Sequence, residues 1–96
     1  MSRQITEQAC YAFEQDRPFR LSNTEVHVDF VGTRMYLWDN LIARKINGQL
    51  EVTLAGHNTM TTRERLNGLT GVTCYTRKGQ AYINGNPVSS DEWVKI

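Results

Sequence analysis

The chain lacks most features that mark a secreted, membrane or catalytic protein. Two of its 96 residues are cysteine, Cys10 and Cys74. They form no C-x-x-C pair, and a small secreted domain carries four or more. That pattern predicts two free thiols in a reducing cytosol. The N-terminus has no apolar core of a secretory signal. No apolar run approaches the roughly eighteen residues a membrane span needs. Net charge is only +1, from eleven basic and ten acidic residues, so the chain as a whole is not a polyelectrolyte binder. No linker, internal repeat or low-complexity stretch is visible.

Catalytic signatures are missing too. The chain contains no G-x-G-x-x-G, P-loop, G-x-S-x-G or H-E-x-x-H. The zinc-ligating residue types Cys10, His27, His57 and Cys74 are isolated, whereas a zinc site needs about four ligands, usually at short paired spacing. A Cys–His nucleophile needs only proximity in space, which spacing does not settle. Both thiols, however, fall among apolar positions of a helix and a strand, where cysteine acts as a small hydrophobe. A chain of this length houses one thin core and no large cavity. The expectation is a single domain over residues 1–96, with a core of about 2–87 and a tail of 88–96, no metal, no cofactor and no enzymatic activity.

The elements that are present define an α+β fold. Ser2 is a capping residue, and Ile5, Ala9, Ala12 and Phe13 recur on one helical face. This predicts a helix over about Arg3 to Gln15, ended before Pro18. The period then changes to two. Val26, Val28 and Phe30 alternate with polar residues, and Thr33 to Trp38 and Leu41 to Ile46 continue the strands. Asn47-Gly48 suits a type I′ turn, which pairs Leu41–Ile46 with Gln49–Leu54. Thr61 and Glu64 fit a capping box for a short helix that stops at Gly68 in the left-handed conformation. Val72–Arg77, a Lys78-Gly79 turn and Gln80–Ile83 make a last hairpin, broken by Asn84-Gly85-Asn86-Pro87. The order is α-β-β-β-β-α-β-β, an antiparallel sheet with the N-terminal helix on one face. Trp93 anchors an otherwise loose tail.

Two surfaces are candidates for partner binding. From Thr61 to Ile83, Arg63, Arg65, Arg77 and Lys78 outweigh Glu64 alone. With Tyr75 and Tyr82 near them, they suit phosphate contacts and base stacking. A solvated face gives the same pattern, and the pI of 7.8 lies below that of strong nucleic-acid binders. Arg63 and Arg65 are two apart on a helix, so both are expected to stand free of the core. The second surface holds Tyr36 and Trp38, on the strand face opposite Met35 and Leu37. They point outward if the first helix covers the other face, unless the second helix or the tail covers them.

Ser22-Asn23-Thr24-Glu25-Val26, Leu41-Ile42-Ala43, Thr61 to Leu69, and Lys78-Gly79-Gln80 followed by Tyr82 and Asn84-Gly85 recur together elsewhere. In this order the chain resembles a group of short accessory proteins encoded by bacteriophages and prophages, from Ser2 to Pro87. It departs at His57-Asn58, where the resemblance calls for Trp after Gly56. The resemblance carries over no catalytic residue. It implies a protein that acts in the cytoplasm of a bacterial host by binding a host protein or ribonucleoprotein complex. Anti-defence inhibition, for example of a CRISPR complex, is one such action. The alternative is direct nucleic-acid binding through the basic 61–80 stretch. No membrane partner is expected.

Overall fold

The computed structural model describes residues 2–96, with side chains from Gln4 onward. In chain order its elements are α1 (Ser2–Glu14), β1 (Phe19–Leu21), β2 (Thr24–Val28), β3 (Gly32–Leu37), β4 (Asn40–Ile46), β5 (Gln49–Val52), α2 (Met60–Asn67), β6 (Cys74–Arg77), β7 (Gln80–Ile83), β8 (Asn86–Val88) and β9 (Val94–Lys95). The capping role expected of Ser2 lies outside the described side chains. Ala9, Cys10, Ala12 and Phe13 bury the face that their spacing marks. Asp16, at φ 55, closes α1. Its N–H bonds the Phe13 carbonyl at 3.3 Å while that of Arg17 reaches Ala12 at 2.8 Å, a Schellman ending just before Pro18.

The fold is α+β, as the alternation of periods requires, but the strands divide into two antiparallel sheets. The larger has the order β1-β2-β3-β4-β5-β9 and the smaller β6-β7-β8. Tight turns with two positive φ values join several hairpins: Trp38-Asp39, Asn47-Gly48, Lys78-Gly79 and Asn84-Gly85. The Asn47-Gly48 prediction therefore holds, with φ of 54 and 77. α1 lies across β1, β2 and β3, and α2 packs on α1, β4 and β6. One apolar cluster unites Phe13, Met35, Leu37, Ile42, Leu66, Ile83 and Val88, so both sheets share a core.

Several sequence expectations fail locally. β1, β8 and β9 were not foreseen. Asn84-Gly85 turns the chain into β8 instead of ending the sheet. Trp93 does anchor the tail, with Arg44 3.9 Å over its ring, but the tail is also tied by a strand that was not expected, since β9 pairs with β5. Phe30 does not continue the alternation of β2, because Asp29 to Val31 form a turn and leave Phe30 fully exposed. The cap of α2 is Thr59, whose hydroxyl accepts from Thr62 N–H, so the Thr61–Glu64 box is not formed. Gly68 ends α2 at φ −75 rather than in the left-handed region. Its glycine is needed for a close approach: a Cβ there would lie 2.6 Å from Cys10 Sγ and 2.7 Å from Thr6 Cγ2 of α1.

Candidate functional site

The helical phase of α2 decides which arginine is available. Thr62, Arg65, Leu66 and Leu69, at i, i+3, i+4 and i+7, share the buried side. Arg65 is 1 % exposed. Its Nε donates to Thr24 Oγ1 at 3.0 Å, Nη2 to Asn23 Oδ1 at 3.3 Å, and Nη1 to Thr6 Oγ1 and to Glu64 Oε1. Cys10 Sγ donates to the Arg65 carbonyl at 3.2 Å. This guanidinium ties α2 to α1 and to the β1–β2 turn. Burial lowers its pKa, and Glu64 opposes that shift. The expectation that Arg65 stands free is therefore overturned: its hydrogen-bond capacity serves the fold. The missed signal was an arginine in an apolar helical slot facing two core threonines, Thr6 and Thr24.

The other predicted site residues are dispersed. Arg63 is half-buried and donates through Nη1 to the carbonyl and the side chain of Asn58. Tyr36 and Trp38 do not share a face. Tyr36 lies half-buried on the outer face of the large sheet, against His27 with centroids 4.9 Å apart. Trp38 leaves the strand at φ 48 and stands 59 % exposed. It borders an apolar hollow with Leu37, Ile42, Leu54 and His57.

Arg77 and Lys78 occupy the β6–β7 tip, both exposed. Register places Arg77 opposite Gln80, Tyr75 opposite Tyr82, and Tyr82 opposite Pro87. Alternation puts these on the outer face of the small sheet, because Cys74, Ala81, Ile83 and Val88 fill the core side. Tyr75 and Tyr82 stack nearly parallel, with centroids 5.1 Å apart and 10° between planes. Across an open groove from Tyr75 stand Arg63 and the exposed Met60 of α2. Among the described residues, no ion pair engages Arg77 or Lys78. The chemistry on offer is aromatic and cationic contact with unspent charge.

The four candidate metal-ligating residues do not converge. Cys10 is buried beneath α2 and Cys74 is buried on β6, while His27 and His57 are exposed, on the large sheet and in the loop before α2. Among the described residues no three side chains of His, Cys, Asp or Glu gather. Burial, helped by Glu14, pushes the Cys10 thiol up to about 12. Burial also raises that of Cys74. Both thiols are buried, and burial disfavours the thiolate that would act as a nucleophile. Among the described residues no helix is long and apolar enough to cross a membrane.

Fold and face together define a two-sheet α+β domain locked by a buried arginine, with an open aromatic and basic surface on its smaller sheet. A family model described as Kyanoviridae Gp96 protein matches residues 2–95. The chain belongs to that family, a family of bacteriophage proteins. No curated protein and no solved structure matches it.

Proposed function

We propose that this phage protein acts by binding rather than catalysis, and that it engages a host protein or ribonucleoprotein in the cytoplasm of the infected cell. The observation that carries this reading is the Tyr75–Tyr82 stack beside Arg77 and Lys78 on the outer face of the small sheet. Tyrosine and arginine are the residue types enriched at binding hot spots. Unpaired basic groups at a hairpin tip favour an acidic partner surface and speed encounter with it. The finer form, an inhibitor of a host defence complex such as a CRISPR effector, rests on the resemblance alone.

The test is capture of a partner from nuclease-treated bacterial lysate, followed by quantitative binding of the partner so identified. Tyr75→Ala with Arg77→Ala and Lys78→Ala leaves the core untouched and is expected to weaken binding at least tenfold. Arg65 is left out of the set, since replacing it would unsettle the fold. Equal affinity of parent and variant would show that this face is only solvated surface.

A second reading is direct nucleic-acid binding, because a flat pair of rings next to two cations also suits base stacking. It predicts affinity for generic single strands that falls steeply as salt rises. Capture that survives nuclease treatment and resists moderate salt favours the protein partner.

A further inference from the structure

At the opposite end of the molecule from the Trp38 turn, the β2–β3 connection presents an unusual side chain. Phe30 is 101 % exposed. The loop that carries it is held firmly: Asp29 Oδ1 accepts from Val31 N–H at 2.9 Å and from Gly32 N–H at 3.1 Å, and Asp29 N–H donates to the Gly32 carbonyl at 3.0 Å. Arg34 closes on the same carboxylate at 3.4 Å. A bare phenyl ring on a pre-ordered turn loses little freedom when it docks, which favours binding.

The hollow beside Trp38 has the complementary shape. Its volume is about 160 Å³. Leu37, Ile42, Leu54 and Thr62 are buried beneath it, and Trp38 and His57 are exposed at its mouth. An apolar cavity of roughly 150 Å³ accepts a benzene ring. Phe30 cannot reach the hollow of its own chain. The two lie at opposite ends of β3, Gly32–Leu37, roughly 17 Å of extended backbone. Among the other exposed large apolar residues, Leu21, Val31, Met60 and Ile96 carry no ring, Tyr11 and Tyr75 would carry a hydroxyl into an apolar space, and Trp38 itself borders the hollow.

We infer that Phe30 of one copy seats in the Trp38 hollow of a second copy, so that the protein self-associates through a ring-in-hollow contact. The arrangement closes into a dimer when the contact is reciprocal and extends into a chain when it is not. Neither element includes Tyr75, Arg77 or Lys78, so the inference stands apart from the proposed host-binding face. One ring buries too little for a permanent assembly, so association is weak and concentration-dependent.

Sedimentation equilibrium on the purified protein, from about 10 μM to about 1 mM, tests this at the concentrations where weak interfaces of this kind assemble. The parent is expected to rise above the monomer mass of 11.0 kDa as concentration increases. Phe30→Asp spoils the ring and leaves the hollow. Ala55→Asp spoils the hollow, which Ala55 lines, and leaves the ring. Aspartate suits the φ of 55 at that position. Each variant alone should associate at least tenfold more weakly than the parent. An equimolar mixture should regain association, because one intact ring then meets one intact hollow. A parent that stays monomeric throughout overturns the inference. So does a Phe30→Asp or Ala55→Asp variant that associates like the parent, or a mixture no larger than its components.

Discussion

The two sheets present outer faces that differ in how far their basic residues are paired. On the large sheet most basic residues are already engaged, the exposed Lys95 of β9 being the exception among the described residues. Arg44 bonds Glu51 at 2.7 Å and stacks on Trp93, Arg34 reaches Asp29 at 3.4 Å, and Arg20 lies 3.8 Å from Glu25. His27 bonds the same glutamate at 2.7 Å. On the small sheet Arg77 and Lys78 have no such partner among the described residues, and two tyrosines lie open between the strands. The lesson is that a count of arginines does not locate a binding surface. A paired guanidinium has already used much of its attraction for an anion, while an unpaired one beside aromatic rings keeps it.

The sheets also differ in how they are secured, and substitutions expose the difference. The largest effect is expected at Arg65. Arg65→Ala removes the donor shared by Thr6, Thr24, Asn23 and Glu64 and leaves a void between α1, α2 and β2. Loss of a buried charged partner costs about 3–5 kcal/mol. Denaturant unfolding should show that loss as a lowered midpoint with both sheets melting together. Near-parental stability would show that the network is replaceable.

A smaller and more local effect is expected at Asn67. Its side chain brackets one residue of β6: Nδ2 donates to the Cys74 carbonyl and Oδ1 accepts from Cys74 N–H, both at 2.6 Å. These bonds occupy the open edge of the small sheet and hang it from α2. Asn67→Ala removes two hydrogen bonds, about 2 kcal/mol in all. Amide hydrogen exchange should accelerate roughly thirtyfold across β6 and β7 while β3 and β4 remain protected. Uniform acceleration in both sheets would mean that they unfold as one unit and that the contrast in anchoring is not real.

Much of this was legible from the chain, and the misses have physical causes. Period and turn chemistry located both helices and the strands on either side of Asn47-Gly48 and Lys78-Gly79. β1 and β9 span three and two residues, too few for alternation to show. Phe30 continued a period of two until Asp29 folded the backbone into a turn, and side-chain alternation does not encode that bond. Arg65 was misplaced because its charge was weighed above its spacing: with Thr62, Leu66 and Leu69 it stands at i+3 of an i, i+3, i+4, i+7 face, and all four are buried. The hairpin tip at Arg77-Lys78 was visible because its turn is local, whereas the parting of Tyr36 and Trp38 depends on Trp38 adopting a positive φ that favours other residues.

The smallest effect is expected from acid, and it falls on the large sheet. Three carboxyls on or beside it are held below their ordinary values: Asp16, at the end of α1, by the hydroxyl of Thr33 and the ammonium of Lys45, Glu25 chiefly by its hydrogen bond to His27, and Asp29 by the N–H groups of Gly32 and Val31. Because each folded pKa lies below the unfolded one, the stabilisation is complete above the ordinary carboxylate range of about 4. It is lost as pH falls through the lowered values. All three groups are solvent-facing, so the loss is partial and local. The outer face of the small sheet, formed by Tyr75, Arg77, Gln80, Tyr82 and Pro87, has no carboxyl to protonate. Residue-resolved NMR from pH 6 to pH 2 should therefore show the β2–β3 turn and the α1–β3 contact at Asp16 loosening first, with β6 and β7 unchanged over the same range. A transition that begins in the small sheet, or carboxyls that titrate at ordinary values, would break the comparison, because the pairs on the large sheet would then contribute no more than the open charges opposite them.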